Sequence, residues 1–115
     1  MPTREDVLAI RSIDEAFDLS TPKVGKREVS LIRVAERERL IRLTEHAEDA
    51  AVDDGIAEAD IWGAVRRGPA GPKDRDESMG RQIGINFEAD VRGRRRIRVK
   101  VSWDRTHFIP TVHTV

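Results

Sequence analysis

Apolar residues recur along this chain with two periods, helical up to about Arg67 and strictly alternating from about Ile83 onward. Behind Thr3-Arg4-Glu5-Asp6, which has the form of a capping box, Val7, Leu8, Ile10, Ile13, Ala16 and Phe17 predict a first helix over about Arg4 to Asp18. Ser20-Thr21-Pro22-Lys23-Val24-Gly25 predicts a loop and a plausible boundary, because proline and glycine interrupt regular structure and the hydroxyls compete for backbone hydrogen bonds. Leu31, Ile32, Val34, Leu40, Ile41 and Leu43 fit either a helix around Glu36 to Arg39 or a short strand near Leu40 to Leu43, and periodicity does not choose between them.

Two short helices follow. Thr44 is a good N-cap, Glu45, Glu48 and Asp49 suit the positive end of the helix dipole, and Gly55 can take a left-handed cap, so a helix is predicted over about Glu45 to Asp54. Ile61, Trp62 and Val65 share one face of a second helix over Glu58 to Arg67, with arginines in its last turn and Gly68 beyond. Gly68-Pro69-Ala70-Gly71-Pro72 and the charged Lys73 to Glu77 read as loop.

The alternating half begins with Ile83, Ile85, Phe87, Ala89 and Val91, and continues with Ile97, Val99, Val101 and Trp103. Arg92-Gly93 reads as the hairpin turn between them and Asp104-Arg105-Thr106 as a second turn. Phe108 to Val115 forms a further strand, whose Pro110 points to an edge or a strand start. The expectation is an α+β fold: short helices on one face of a three- or four-stranded antiparallel sheet, with an extra N-terminal helix. Residues 1–40 read as a helical extension and residues 41–115 as the α+β domain.

Composition narrows the classes. A chain of 115 residues, 38% hydrophobic and 37% charged, suggests one modest core under a heavily charged surface. The absence of cysteine excludes disulfides and thiolate metal sites and fits a reducing compartment. Apolar runs are too short to span a bilayer and Arg4-Glu5-Asp6 is unlike a signal peptide, so a cytoplasmic protein without a membrane partner is expected. The net charge of zero conceals opposite halves: residues 1–65 carry 9 Lys and Arg against 15 Asp and Glu, net −6, and residues 66–115 carry 12 against 6, net +6. Seventeen of the 21 cations are arginine, a bias that base composition alone can produce but that also supplies bidentate phosphate binders.

The order of these features resembles the bacterial family called domain of unknown function 4258 over about residues 41–115. The matching residues are Thr44-Glu45-His46-Ala47, Gly55-Ile56 with Ala59-Asp60-Ile61, Arg92-Gly93-Arg94, Ile97-Arg98-Val99-Lys100-Val101, and Thr111-Val112-His113. That resemblance implies the superfold of barnase, EndoU, the colicin tRNases and RelE, and with it a metal-independent ribonuclease or toxin-like domain. RNA, and a cognate antitoxin or immunity protein, are the partners it admits. Asp53-Asp54 stands where the family has an arginine, Arg98 where it has a strand histidine, and His113 where it has a terminal tyrosine.

Metal-free RNA cleavage needs a base for the ribose 2′-hydroxyl, an acid for the leaving oxygen and fixed positive charge on the transition state. His46 and His113 are the acid–base candidates, Arg98 a clamp within the site, and Thr111 a hydroxyl that could orient phosphate. Arg81, Arg94, Arg96 and Lys100 are the candidate RNA-contacting cations, and no cofactor or metal is called for. Each has a plainer reading. His46 can cap or pack, the arginines of 94–98 can be a solvated strand face, His107 and His113 can be ordinary surface residues, and Trp62 and Trp103 are most simply core anchors. Asp14, Glu15, Asp18, Glu28, Glu36 and Glu38 could fold over the basic sheet and screen it. The rival to the enzyme is a non-catalytic module on the same scaffold that binds nucleic acid or protein.

Overall fold

Apart from the two-residue strand β1, the helices precede the strands, as the change of period implies. The structure, a computed structural model, describes residues 2–76, 82–91, 95–104 and 109–114. The elements are α1 (Arg4–Leu8), α2 (Ile13–Ala16), α3 (Lys26–Arg37), β1 (Arg42–Leu43), α4 (Glu45–Asp53), α5 (Glu58–Arg67), β2 (Ala70–Asp76), β3 (Gln82–Val91), β4 (Arg95–Asp104) and β5 (Ile109–Thr114). The expected turn at Arg92-Gly93 lies outside the described residues, as do Arg105 and Thr106 of the second expected turn, whose Asp104 ends β4. No helix among the described residues is long and apolar enough to cross a membrane.

The α+β class holds, but the sheet has five strands rather than three or four, in the order β1-β5-β4-β3-β2. The central strands are antiparallel, and β1 lies parallel to β5 through Arg42↔Thr111 and Leu43↔Val112. Both strands beyond the expected three are edges whose character comes from their neighbours. β2 runs through the segment read as loop. Its pairing with β3 slips between Ala70 and Lys73, so the Gly71-Pro72 pair sits in a bulge on an edge, where a missing N–H removes no internal ladder bond. Pro110 stands at the start of β5, where proline is tolerated.

Before Thr44 the short strand near Leu40 to Leu43 is present as β1, whereas the helix lies earlier than the expected Glu36 to Arg39: α3 spans Lys26–Arg37 and has ended before Arg39. The single helix expected over Arg4 to Asp18 is two. Thr3 and Asp6 form the capping box, but the Arg11 guanidinium donates to the Leu8 and Ile10 carbonyls and Glu15 accepts the Arg11 N–H, so a break there leaves few polar groups without partners. α4 and α5 form where caps and dipole charge place them. Thr44 Oγ1 accepts the Ala47 N–H at 3.1 Å, and Gly55 adopts φ 69° beyond the helix end.

Ile85, Phe87, Val99, Val101 and Trp103 face the helices, and one buried cluster joins them to Val7, Phe17, Leu31, Ala47, Ile61 and Val65. The N-terminal helices therefore share this core: the Phe17 ring meets Trp103 edge-on at 6.1 Å. Arg33 of α3 donates to the Gly68 carbonyl at 2.7 Å and the Val65 carbonyl at 3.2 Å, and its guanidinium lies 5.8 Å from the centre of the Phe87 ring. It thus satisfies carbonyls at the negative end of α5 while covering a core aromatic. Arg33→Met, which keeps the stem but not the donors, is expected to cost about 2–3 kcal/mol in urea unfolding.

Candidate functional site

Strand alternation puts Gly84, Asn86, Glu88 and Asp90 of β3 beside Ser102, Lys100, Arg98 and Arg96 of β4 on the face turned away from the helices. Thr111 of β5 and Arg42 of β1 continue that face, and Arg42 pairs with Asp104 at 2.6 Å. Arg96 and Arg98 are well exposed, at 62% and 68%, and share Glu88: Arg96 Nε reaches one carboxylate oxygen and Arg98 Nη2 the other, both at 3.2 Å. Among the described residues this face carries Arg42, Arg96, Arg98 and Lys100 against Glu88, Asp90 and Asp104, a net charge of +1.

Among the nominated residues that the structure describes, Lys100 and Thr111 share the outer face but are buried, and His46 belongs to a different layer. Lys100 is 3% exposed, with its stem laid across Gly84, where an added Cβ would come 2.7 Å from Lys100 Cε. Thr111 is buried, and its hydroxyl donates to the Ile109 carbonyl at 3.1 Å. His46 is exposed on α4, whose Ala47 and Ala51 are buried in the helix-side core. α4 thus belongs to the helix layer, whereas Arg96 and Arg98 lie on the opposite face of the sheet. His113 falls in β5 at the register slip opposite Lys100 and Val101, and its side chain lies outside the described residues, as do Arg81, Arg94 and His107. Among the described residues, none of the N-terminal carboxylates pairs with a strand arginine. Glu28 pairs with Lys73 at 2.9 Å and Glu36 with Arg66, both on the helix side.

A second feature was not visible in the sequence. Between the C-terminal end of α3 and the outer side of α5 lies an open cleft of about 510 Å³ lined by Glu36, Arg37, Arg39, Ile41, Trp62 and Arg66. Trp103 is buried as a core anchor, but Trp62 is only half-buried, and its indole N–H donates to Glu58 at 3.1 Å one turn earlier. Arg66 donates through Nε and Nη2 to both Glu36 oxygens, which raises the guanidinium's pKa further and keeps it charged. Arg37 and Arg39 are exposed and meet no carboxylate among the described residues.

Arg39 also has φ 57°, the left-handed conformation normally given to glycine beyond a helix end. The Leu40 N–H reaches the Ala35 carbonyl at 2.7 Å and the Arg39 N–H the Glu36 carbonyl at 3.1 Å, a complete Schellman motif with arginine at the strained position. A side chain there costs about 1 kcal/mol. The spacing of Trp62 and Arg66 does place them one turn apart on α5, but nothing in the sequence announces that α3 delivers two more arginines beside them.

No family model, curated protein or solved structure matches this chain.

Proposed function

We propose that this chain is a non-catalytic nucleic-acid-binding module that contacts the RNA backbone through the exposed arginines of β4. The observation that carries this reading is the separation of roles across the sheet. An acid–base pair must reach the same phosphate as its clamp, whereas His46 belongs to the helix layer, Arg96 and Arg98 to the opposite face, and the Thr111 hydroxyl is engaged with backbone. Exposed guanidiniums sharing a single carboxylate are suited to phosphate contacts, which fix position without reading sequence.

Salt dependence tests the assignment. Binding of a labelled single-stranded RNA should weaken as salt rises, and Arg96→Ala and Arg98→Ala should each reduce the slope of log K against log salt by about 0.7. Glu88→Gln, which frees both arginines, should tighten binding and steepen that slope. Slopes unchanged in all three variants would remove β4 from the interface.

A further inference from the structure

We infer that the cleft between α3 and α5 is a second ligand site, built for a nucleoside phosphate: a planar heterocycle stacked on Trp62 with its phosphate held by Arg37 and Arg39. It lies on the helix side, so it stands or falls independently of what the β4 arginines bind.

Three features converge on this chemistry. The first is the half-buried indole, whose edge is tied to Glu58, so the ring enters the cleft already oriented. A large aromatic held in place and left partly open is a stacking surface for a base, at little entropic cost. The second is charge. Within the lining, Glu36 is already engaged by Arg66, which leaves Arg37 and Arg39 as the unneutralised pair, whereas on the outer sheet face Arg42, Arg96 and Arg98 each have a carboxylate. An anion entering the cleft therefore displaces no existing ion pair. The third is strain. Arginine occupies a left-handed helix-terminating position that glycine would hold more easily, and that backbone conformation sends the side chain to the cleft wall. The Arg66–Glu36 pair and Ile41 complete the lining. A volume of about 510 Å³ lies within the range of sites for ligands of this size.

The chain's two tryptophans make the test direct, since each gives one indole N–H resonance in a proton–nitrogen NMR spectrum. Titration with adenosine monophosphate should move the Trp62 resonance saturably and leave that of buried Trp103 in place. Adenosine and inorganic phosphate, each carrying half of the recognised chemistry, should bind at least about tenfold more weakly. The Arg37→Gln/Arg39→Gln double variant alters exposed side chains only and should stay folded while losing about tenfold or more in affinity. Arg39→Gly should raise the melting temperature and weaken binding together, which a purely structural role for Arg39 would not do. A short RNA that shifts Trp62 at lower concentration than the mononucleotide identifies the ligand as a unit of a strand, and the reverse identifies a free nucleotide. A Trp62 resonance unmoved by millimolar mononucleotide and by RNA, or moved equally in the double variant, would overturn the assignment.

Discussion

Lys73→Met is expected to cost about 3–5 kcal/mol of stability, the largest loss from any single polar substitution considered. Lys73 and Glu28 form an ion pair at 2.9 Å with side chains only 4% and 7% exposed. The ammonium is fully used: besides Glu28 it donates to the carbonyls of Asp18 and Thr21, the latter at 3.1 Å. Glu28 accepts the N–H groups of Gly25 at 2.7 Å and Asp18 at 3.0 Å, giving α3 half of a capping box, since Gly25 has no side chain to complete it. The pair fastens the 18–25 loop to β2, and the Lys73 N–H adds a bond to the Pro22 carbonyl at 2.8 Å. Replacing only the cation leaves a buried carboxylate without its counter-charge and two carbonyls without a donor, which is why one missing partner costs more than the pair itself contributes. Urea unfolding should show the loss as a single transition, and because the pair is shielded from solvent the difference from wild type should persist at high salt. A loss below about 1 kcal/mol would mean that the loop is held by its apolar contacts alone.

Gly68→Ala should be nearly as damaging, by about 3 kcal/mol or more, for a reason unrelated to backbone freedom. Gly68 has φ −71°, which any residue adopts. Space is what it lacks: a Cβ there would overlap the Glu88 carbonyl oxygen and lie 2.6 Å from that of Ala64. Both obstacles are backbone, one in β3 and one in α5, so relief requires the helix to part from the sheet. The same movement would strain the Arg33 bond to the Gly68 carbonyl and the Glu88 N–H bond to Pro69 at 3.1 Å. Thermal unfolding measures the effect, and an alanine variant within about 0.5 kcal/mol of wild type would show that the α5–β3 junction is looser than described.

Local signals made much of this fold legible. α5 spans Glu58–Arg67, as its apolar face and terminal arginines indicate, and α4 ends within a residue of the position that Thr44 and Gly55 define. Alternation located β3 and β4 and placed Arg96 and Arg98 outward. What escaped was set by side-chain bonds and strand pairing that periodicity does not record. β2 looks like loop because Gly71 and Pro72 dominate its composition, and only its pairing with β3 makes it a strand. The break after Leu8 depends on Arg11 bonding backward and Glu15 reaching back to the Arg11 N–H, which periodicity cannot register. Alternation put Lys100 on the polar face and its nomination as an RNA contact presumed exposure, yet it is buried, as is Thr111, because polarity marks a face without saying how deeply it is covered. The cleft escaped for a further reason: Arg39 and Trp62 are far apart in the chain and meet only because α3 packs along α5.

The central functional claim is that His46 and the β4 arginines cannot act on one phosphate. Incubating labelled RNA with wild type and His46→Ala, and following both binding and length of the RNA, tests it most directly. The account requires the two proteins to bind alike and to leave the RNA full-length; shortening by wild type that the His46→Ala variant abolishes would contradict it and restore a cleaving site.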